Sequence, residues 1–527
     1  MKQIFSLMGA VASAAVFALS GCSDTDYTDR YPDPSKTSKV TCDKLMTGVF
    51  ETAKDYTMPT YNRYFCFETQ QIGRFAQTMG WVNATGMYQG MGELYNNNRW
   101  KNFYNTLTQF RLLEHTYKNL PEASRTDNEV FVLLSKVFLY EQLQQIVDLW
   151  GDVPFSEAGY LAVTSEVKSS YPGYEKAETI YRTMLDDLKA INKQLAGMNT
   201  LPALASAALP AQDYINGGDV SKWRKYANSL RLRMAMRLAS NGSMTADARE
   251  ILKEMLENPA EHPVVGNNGE NIKIAADKDG FNMDGTDHVG GLESWSGAVN
   301  RASKMMLDAL KEDPRLPVIY DPNAENLYTG LDPRDPETQQ RKLFERPASE
   351  GGNYYSAMDT ATFSRNYDFP GILMTAAEVS FIQAEAFLKG YASGNAQEAF
   401  EKGVKESVEF YYELNSTATY RKPTPAPTAA EIAAFARAKW DGYSAKEVGI
   451  ATQKWLHFSL IQMVEAWNEV RRTGIPELYF QTDNGSISCP NVPARLKYPT
   501  DERNNNPEKY AAVQAQDTYY TKLFWAK

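Results

Sequence analysis

Apolar residues recur at helical spacing through most of the chain. In "YEKAETIYRTMLDDLKAINKQLAG", Ala177, Tyr181, Met184, Leu188, Ile191 and Leu195 follow steps of three and four and form one stripe of an amphipathic helix. "VSKWRKYANSLRLRMAMRLAS" repeats the pattern with Trp223, Ala227, Leu230, Met234 and Leu238. "GILMTAAEVSFIQAEAFLKG" does so with Ile372, Ala376, Val379, Ile382 and Ala386, and Gly390 stands where a C-terminal cap belongs. Thr428 and Glu431 form a capping box ahead of "AAFARAK". Residues 446–473 read as one long helix, with Arg471 and Arg472 at its negative end, Gly474 as cap and Pro476 barring continuation. Further helices are expected over 42–56, 92–118, 126–149, 244–257, 296–312 and 394–413.

Adjacent helices fall near 92–149, 174–240 and 371–413. This predicts a mostly α fold, a superhelix of tetratricopeptide-like helical pairs, although no fixed repeat of about 34 residues is visible. Strand-like runs are few and short. Long irregular segments lie between the pairs, at 78–92, 151–173, 260–295, 320–370, 414–428 and 474–527. Segments this long are usually functional. They predict a loop-rich, ligand-binding subdomain packed on the helices.

The N-terminus reads differently. Lys2 precedes a nearly continuous apolar run from Ile4 to Leu19, too short for a membrane span, so residues 1–21 are expected to be a signal peptide. Leu19-Ser20-Gly21-Cys22 resembles the lipobox of bacterial lipoproteins, which makes Cys22 the expected lipidation site and membrane anchor. Residues 22–40, polar and carrying Asp24, Asp26, Asp29 and Asp33, are expected to be a flexible tether. Acidic residues just behind such a cysteine resemble the surface-export signal of Bacteroidetes lipoproteins. Residues 41–527 would form the folded domain, in which no later stretch is expected to span a membrane.

The formal net charge of −10 argues against a nucleic-acid partner and against electrostatic binding to anionic lipid. Beyond Cys22, the cysteines Cys42, Cys66 and Cys489 show no CxxC or disulfide framework. His115, His262, His288 and His457 lie far apart, without zinc-ligand spacing. In "DKDGFNMDGTD", Gly285 could hold the sixth position of a calcium loop. The first and twelfth positions would then be Gly280 and Gly291, which carry no ligand oxygen on a side chain. No cofactor or metal is therefore expected, with an irregular calcium site in this segment left as an alternative. Glu378 and Glu385 lie seven apart on one helix, about 10.5 Å by rise alone. Salt bridges to arginines of a neighbouring helix fit them better than a catalytic pair. Arg231, Arg233 and Arg237 are expected in ion pairs, and Trp150 and Gly151 of "LWGDVP" are expected to be structural.

Aromatics are abundant, with 31 Tyr, 23 Phe and 9 Trp. An exposed ring covers the C–H face of a sugar while amides and carboxylates bond its hydroxyls. Three loops carry that combination. One has Trp81, Asn83, Tyr88 and Gln89. A second has Phe281, Asn282, Asp284 and Trp295. A third has Asn353, Tyr354 and Tyr355. The competing reading is that these rings pin the loops to the scaffold.

Several segments, in order, resemble those of the SusD/RagB family of nutrient-binding outer-membrane lipoproteins, in its SusD-like branch. They are "RWKNFYNTL" (99–107), "LWGDVPFSEA" (149–158), "KWRKYANSLRLRMAMR" (222–237), "EDPRLPVIY" (312–320), "TAAEVSFIQAEAFLKG" (375–390), "TQKWLHFSLIQMVEAWNEVRRTGIPEL" (452–478) and "ARLKYPTDERNNN" (494–506). The resemblance implies a lipid-anchored protein of the outer membrane that faces the cell exterior. It implies a partner, a SusC-like TonB-dependent β-barrel transporter for which the protein acts as a lid. It further implies capture of a glycan, or in some relatives a peptide, without enzymatic activity. A lipid-anchored hydrolase and a repeat scaffold without small ligand are the remaining alternatives.

Overall fold

Neighbouring helices pack in pairs, and the pairs share one row of buried helices. The computed structural model describes residues 40–90, 92–198, 200–276, 292, 300–418 and 421–527. Its principal helices are α1 (Cys42–Thr52), α2 (Glu93–Lys118), α3 (Glu122–Trp150), α4 (Ala177–Gly197), α5 (Val220–Leu238) and α6 (Thr245–Glu257), followed by α7 (Ala376–Leu388), α8 (Ala396–Ser416), α9 (Ala429–Gly442), α10 (Lys446–Phe458) and α11 (Met463–Thr473). The pairs are α2 with α3, α4 with α5 and α7 with α8. Helices α3, α5, α7, α10 and α11 touch one another in turn and form the inner row. The described residues hold one small sheet, β1 (Ile272–Ile274) antiparallel to β2 (Gly371–Met374), which leads directly into α7.

The stripes read from the sequence are the buried faces. On α4, Ala177, Tyr181, Met184, Leu188, Ile191 and Leu195 are all buried. The Thr428–Glu431 capping box opens α9. Gly390 and Gly474 both have positive φ beyond helix ends, as a C-terminal cap requires. Helix α3 is long and apolar enough to cross a membrane by length and composition, contrary to the expectation that no stretch would be. In the protein, 89% of its apolar window is buried, as suits the central helix of the row.

Other expectations need correction. The 446–473 helix is two helices, broken at Ser459, which has a positive φ. The break frees carbonyls for side chains elsewhere: Tyr64 Oη donates to Leu460 O at 2.7 Å and Arg63 Nη2 to Ile461 O at 3.2 Å. The helix expected over 296–312 is described only for Lys304–Ala309. Before it, Arg301 and Ser303 pair with other backbone, at Gly80 and Leu331. A largely buried π-helix, Tyr61–Ile72, and a short helix, Ala203–Gln212, were not expected.

The expected arginine and carboxylate pairs are present, and they link the whole inner row. From α5, Arg233 binds both oxygens of Glu378 on α7, at 2.6 and 2.7 Å, and Glu141 on α3 at 3.2 Å. One turn on, Arg237 pairs with Asp148 of α3 at 2.8 Å and with Glu465 of α11. Arg472 of α11 forks onto Glu385 of α7, at 2.8 and 2.6 Å, and reaches Glu469 at 2.7 Å. Lys454 of α10 completes the cluster on Glu469 at 3.1 Å. All these side chains are buried. Burial works against the charge of Glu469, but Arg472, Lys454 and Arg237 outweigh it and hold the carboxyl well below the usual range. Burial prevails at Glu141 and Asp148, which are pushed up to about 7 and about 6.

Removing one member of such a cluster leaves a buried charge unpaired, which costs about 3–5 kcal/mol. Arg472→Met should lower the unfolding free energy measured in denaturant by that amount, and adding Glu385→Gln should recover part of the loss. A second expectation concerns His457, buried between Thr375 Oγ1 at 2.7 Å and Ser407 Oγ at 3.0 Å. Burial, and then the nearby Arg315, push its pKa down to about 3. The unfolded chain therefore binds the extra proton first, so His457 contributes full stability above pH 6.5 and loses it as pH falls toward 3. The stability gap between wild type and His457→Gln should shrink by about 2 kcal/mol from pH 6.5 to 4.5 in denaturant titrations. A constant gap would contradict this.

Candidate functional site

In two of the three expected aromatic loops, the rings of Trp81, Tyr88 and Tyr355 turn inward. Trp81 is only 3% exposed and lies flat on Phe480, with centroids 6.2 Å apart. Tyr88 is buried edge-on to both rings, and its hydroxyl donates to Gln481 O at 2.6 Å. Asn83 Nδ2 donates to Pro333 O, Asp335 O and Gln481 Oε1 within 2.9 Å. Gln89 Nε2 reaches Ser486 and Ser488. In the third loop, Asn353 Oδ1 accepts from the Tyr355 amide at 2.9 Å, and Tyr355 is buried. Tyr354 is half-buried, with the Arg346 guanidinium 5.2 Å from its ring centre. Residues 78–90, 329–358 and 479–491 thus join in one irregular layer. These rings and amides hold it together, and Trp81, Tyr88 and Tyr355 present no open face for a ligand. Phe281, Asn282, Asp284 and Trp295, with the calcium-like segment around them, lie outside the described residues. Among the described residues, no group of three or more His, Cys, Asp or Glu side chains converges on a metal position.

A large groove lies elsewhere, at the end of α3. There Gly151, with φ 81° and ψ −123°, adopts a conformation that only glycine takes readily. The chain turns out of the helix, and Val153 pairs with Glu175 to close a projecting lobe, 154–174. Asp152 fixes the lobe to the start of α4. It accepts the Ala177 amide at 2.9 Å and the Lys176 ammonium at 2.8 Å. Although burial opposes its charge, Lys176, the Ala177 amide and Gln516 keep its pKa lowered. The end of α3 also anchors the opposite wall. Trp150 Nε1 donates to Lys497 O at 2.8 Å, and the Leu496 amide to Leu149 O at 2.9 Å. Tyr498 Oη then donates to Asp152 O at 2.6 Å. From there the chain runs into the short helices Thr500–Asn505 and Pro507–Tyr510. "LWGDVP" is therefore structural, as expected, and its structural task is to seat both walls of a groove.

The groove encloses about 870 Å³ between Tyr160, Lys168 and Tyr171 on the lobe and Asn505, Asn506 and Lys509 opposite. A second depression of about 330 Å³ shares Ser169, Pro172 and Asn505 with it and reaches Trp100 and Tyr104 of α2. Tyr171 is 46% exposed. Tyr160 carries the Arg111 guanidinium 4.7 Å from its ring centre, which fixes that ring. The base is tied by Tyr174 Oη to Glu502 Oε2 at 2.9 Å and Asn506 Nδ2 to Pro172 O at 3.1 Å. Burial pushes the Glu502 carboxyl up. The result is an open cleft with tyrosine rings beside amide, hydroxyl, carboxylate and ammonium groups. Such a cleft can stack a sugar ring and bond its hydroxyls. The sequence signals for it were the expected irregular segments 151–173 and 474–527.

Comparison with protein families matches residues 34–499 to the family SusD-like_2, described as starch-binding associating with outer membrane. The comparison with curated proteins gave no match. Among solved structures, one described as a chitin-binding protein is 25% identical, with a TM-score of 0.71 over 92% of this chain and 100% of that one. A SusD homolog from Parabacteroides distasonis is 19% identical, with a TM-score of 0.70 over 93% and 98%. A SusD homolog from Bacteroides vulgatus is 23% identical, with a TM-score of 0.66 over 91% and 97%. The last two show the shared fold alone.

The loop geometry carries its own expectation. Trp81→Ala should cost about 3–5 kcal/mol of stability by leaving a cavity against Phe480. Loss of ligand affinity with an unchanged unfolding midpoint would instead make Trp81 a ligand contact.

Proposed function

The chain belongs to the SusD-like family of starch-binding proteins that associate with the outer membrane, and on that premise we propose that it is a glycan-binding lipoprotein. Lipidated at Cys22, it faces the cell exterior and delivers oligosaccharide to a TonB-dependent β-barrel transporter resembling SusC. The observation that carries the ligand class is the groove, an open cleft lined by the exposed ring of Tyr171 together with Lys168, Asn505 and Lys509. Support also comes from the solved relative described as chitin-binding. The proposed role is capture and transfer, without chemistry on the sugar. The same cleft would release an intact ligand to the barrel.

The test is calorimetry on the mature chain with chito- and malto-oligosaccharides, and with unstructured peptides as competitors. Binding of a glycan is expected, and Tyr171→Ala should weaken it by roughly fivefold, the value of about 1 kcal/mol for one stacked ring. Peptide binding in place of glycan, abolished by the same variant, would replace the ligand class. Appearance of cleaved products would replace the binding reading with a hydrolase. Co-purification of a β-barrel from detergent-solubilised outer membrane tests the transfer role.

A further inference from the structure

The smaller depression beside the groove has a character of its own. It meets the groove at Ser169, Pro172 and Asn505 and extends from there over α2. Its floor is rigid. Tyr104 Oη donates to Pro154 O at 2.9 Å, which fixes that ring. Arg111 of α2 donates to Phe155 O at 2.9 Å and to Ala158 O at 3.2 Å, which fastens the base of the lobe to the helix. Gly159, with φ 83°, lies so close to α2 that a Cβ there would stand 3.2 Å from side-chain carbons of Arg111 and Leu107. The depression is therefore preformed.

One rim is apolar and wet. The helix Leu161–Thr164 buries none of its residues, and Leu161 lines the depression while 47% exposed. The half-buried Tyr104 ring and Pro172 continue that apolar surface. Covering it would take apolar area out of water. Polar groups stand beside it, since Asn105 of α2 and Ser170 of the lobe are exposed and line the same space.

The charged groups of the depression are already matched. Lys101 pairs with Asp501 at 2.7 Å, and Asn97 Nδ2 donates to the same carboxylate oxygen at 2.8 Å. Glu502 accepts from Tyr174 Oη at 2.9 Å. A charged substituent would have to displace one of these pairs. The main groove differs, because Glu157, Lys168, Glu508 and Lys509 line it and suit the hydroxyls of a sugar ring. The depression suits a small neutral group with an amide at one end and a methyl at the other. The amide would pair with Asn105 and Ser170, and the methyl would cover Leu161 and Tyr104. A bare hydroxyl in the same place would leave Leu161 wet and gain nothing from the apolar wall.

We propose that this depression is a subsite for the 2-acetamido group of an N-acetylated sugar whose ring is held in the adjoining groove. The proposal rests on the glycan reading of that groove and makes it selective. Leu161 and Asn105 are its specificity-determining residues.

The test is calorimetry on the mature chain with chitotetraose, cellotetraose and fully de-N-acetylated chitotetraose. The three share one backbone and differ at the 2-position, which carries acetamido, hydroxyl or ammonium. Chitotetraose should bind at least tenfold more tightly than cellotetraose, since one buried methyl group in an apolar pocket discriminates by about tenfold or more. The ammonium form should bind no more tightly than cellotetraose. Leu161→Asn should bring the ratio of chitotetraose to cellotetraose affinity close to one. Asn105→Trp, which fills the depression from the α2 side, should do the same and serves if Leu161→Asn does not fold. Equal affinity for chitotetraose and cellotetraose, both weakened by Tyr171→Ala, overturns the subsite and leaves the groove reading standing. A preference for chitotetraose that survives both variants overturns it as well, as does tightest binding of the ammonium form. Binding of neither neutral tetrasaccharide also overturns it, and maltotetraose in the same titration then shows whether the groove reading falls with it.

Discussion

Arg233 and Arg237, one turn apart on α5, are held between carboxylates from α3, α7 and α11. Desolvating each ion costs several kcal/mol, and only close, well-directed partners offset it. Sliding any one helix by a turn would strand a buried charge, so the pairs act as a register lock for the inner row. The apolar stripes alone would not do this, since Leu, Met and Ala on neighbouring turns can exchange places at small cost. With the row in register, the end of α3 is fixed in space. Gly151 then turns the chain out, and Trp150 and Leu149 receive the C-terminal segment. The groove walls inherit their position from the charge cluster through that one helix.

The helical scaffold was legible because its signals are local. Tyr181 and Met184 share a face by spacing alone, and Thr428 with Glu431 makes a complete capping box within four residues. Glu378 and Glu385 could be assigned to arginines because carboxylates amid apolar helix neighbours need cations. The break at Ser459 was not legible. No glycine or proline marks it, and its cause is tertiary, since Arg63 and Tyr64 claim the freed carbonyls from almost 400 positions away in sequence.

The loops gave a different lesson. Large rings and amides in glycine-rich segments admit two readings from sequence, a ligand platform or a loop pinned to its scaffold, and Trp81, Asn83 and Tyr88 have the chemistry for both. A ring buries the most area where it is covered, so the first claim on it comes from Phe480 and Gln481 within the protein. The groove is not legible in the sequence because neither wall carries a local signal of its own. Its serines, asparagines and lysines acquire meaning only when Tyr174 meets Glu502, 328 positions on.

That separation bears on when the protein becomes competent. One groove wall begins just after α3, in the first third of the chain, and the other is supplied only near its end. Contacts of such long sequence separation carry a loop-closure cost that is met only once much of the fold has assembled. The last residues take part in the same closure: Lys527 donates its amide to Arg471 O, and the Trp525 ring lies beneath Arg237 and Arg471 of the central cluster. A nascent or clipped chain could thus form helix pairs yet hold no cleft. Possession of the cleft is in this sense a proofreading signal, present only in a molecule whose two walls, far apart in sequence, have found each other.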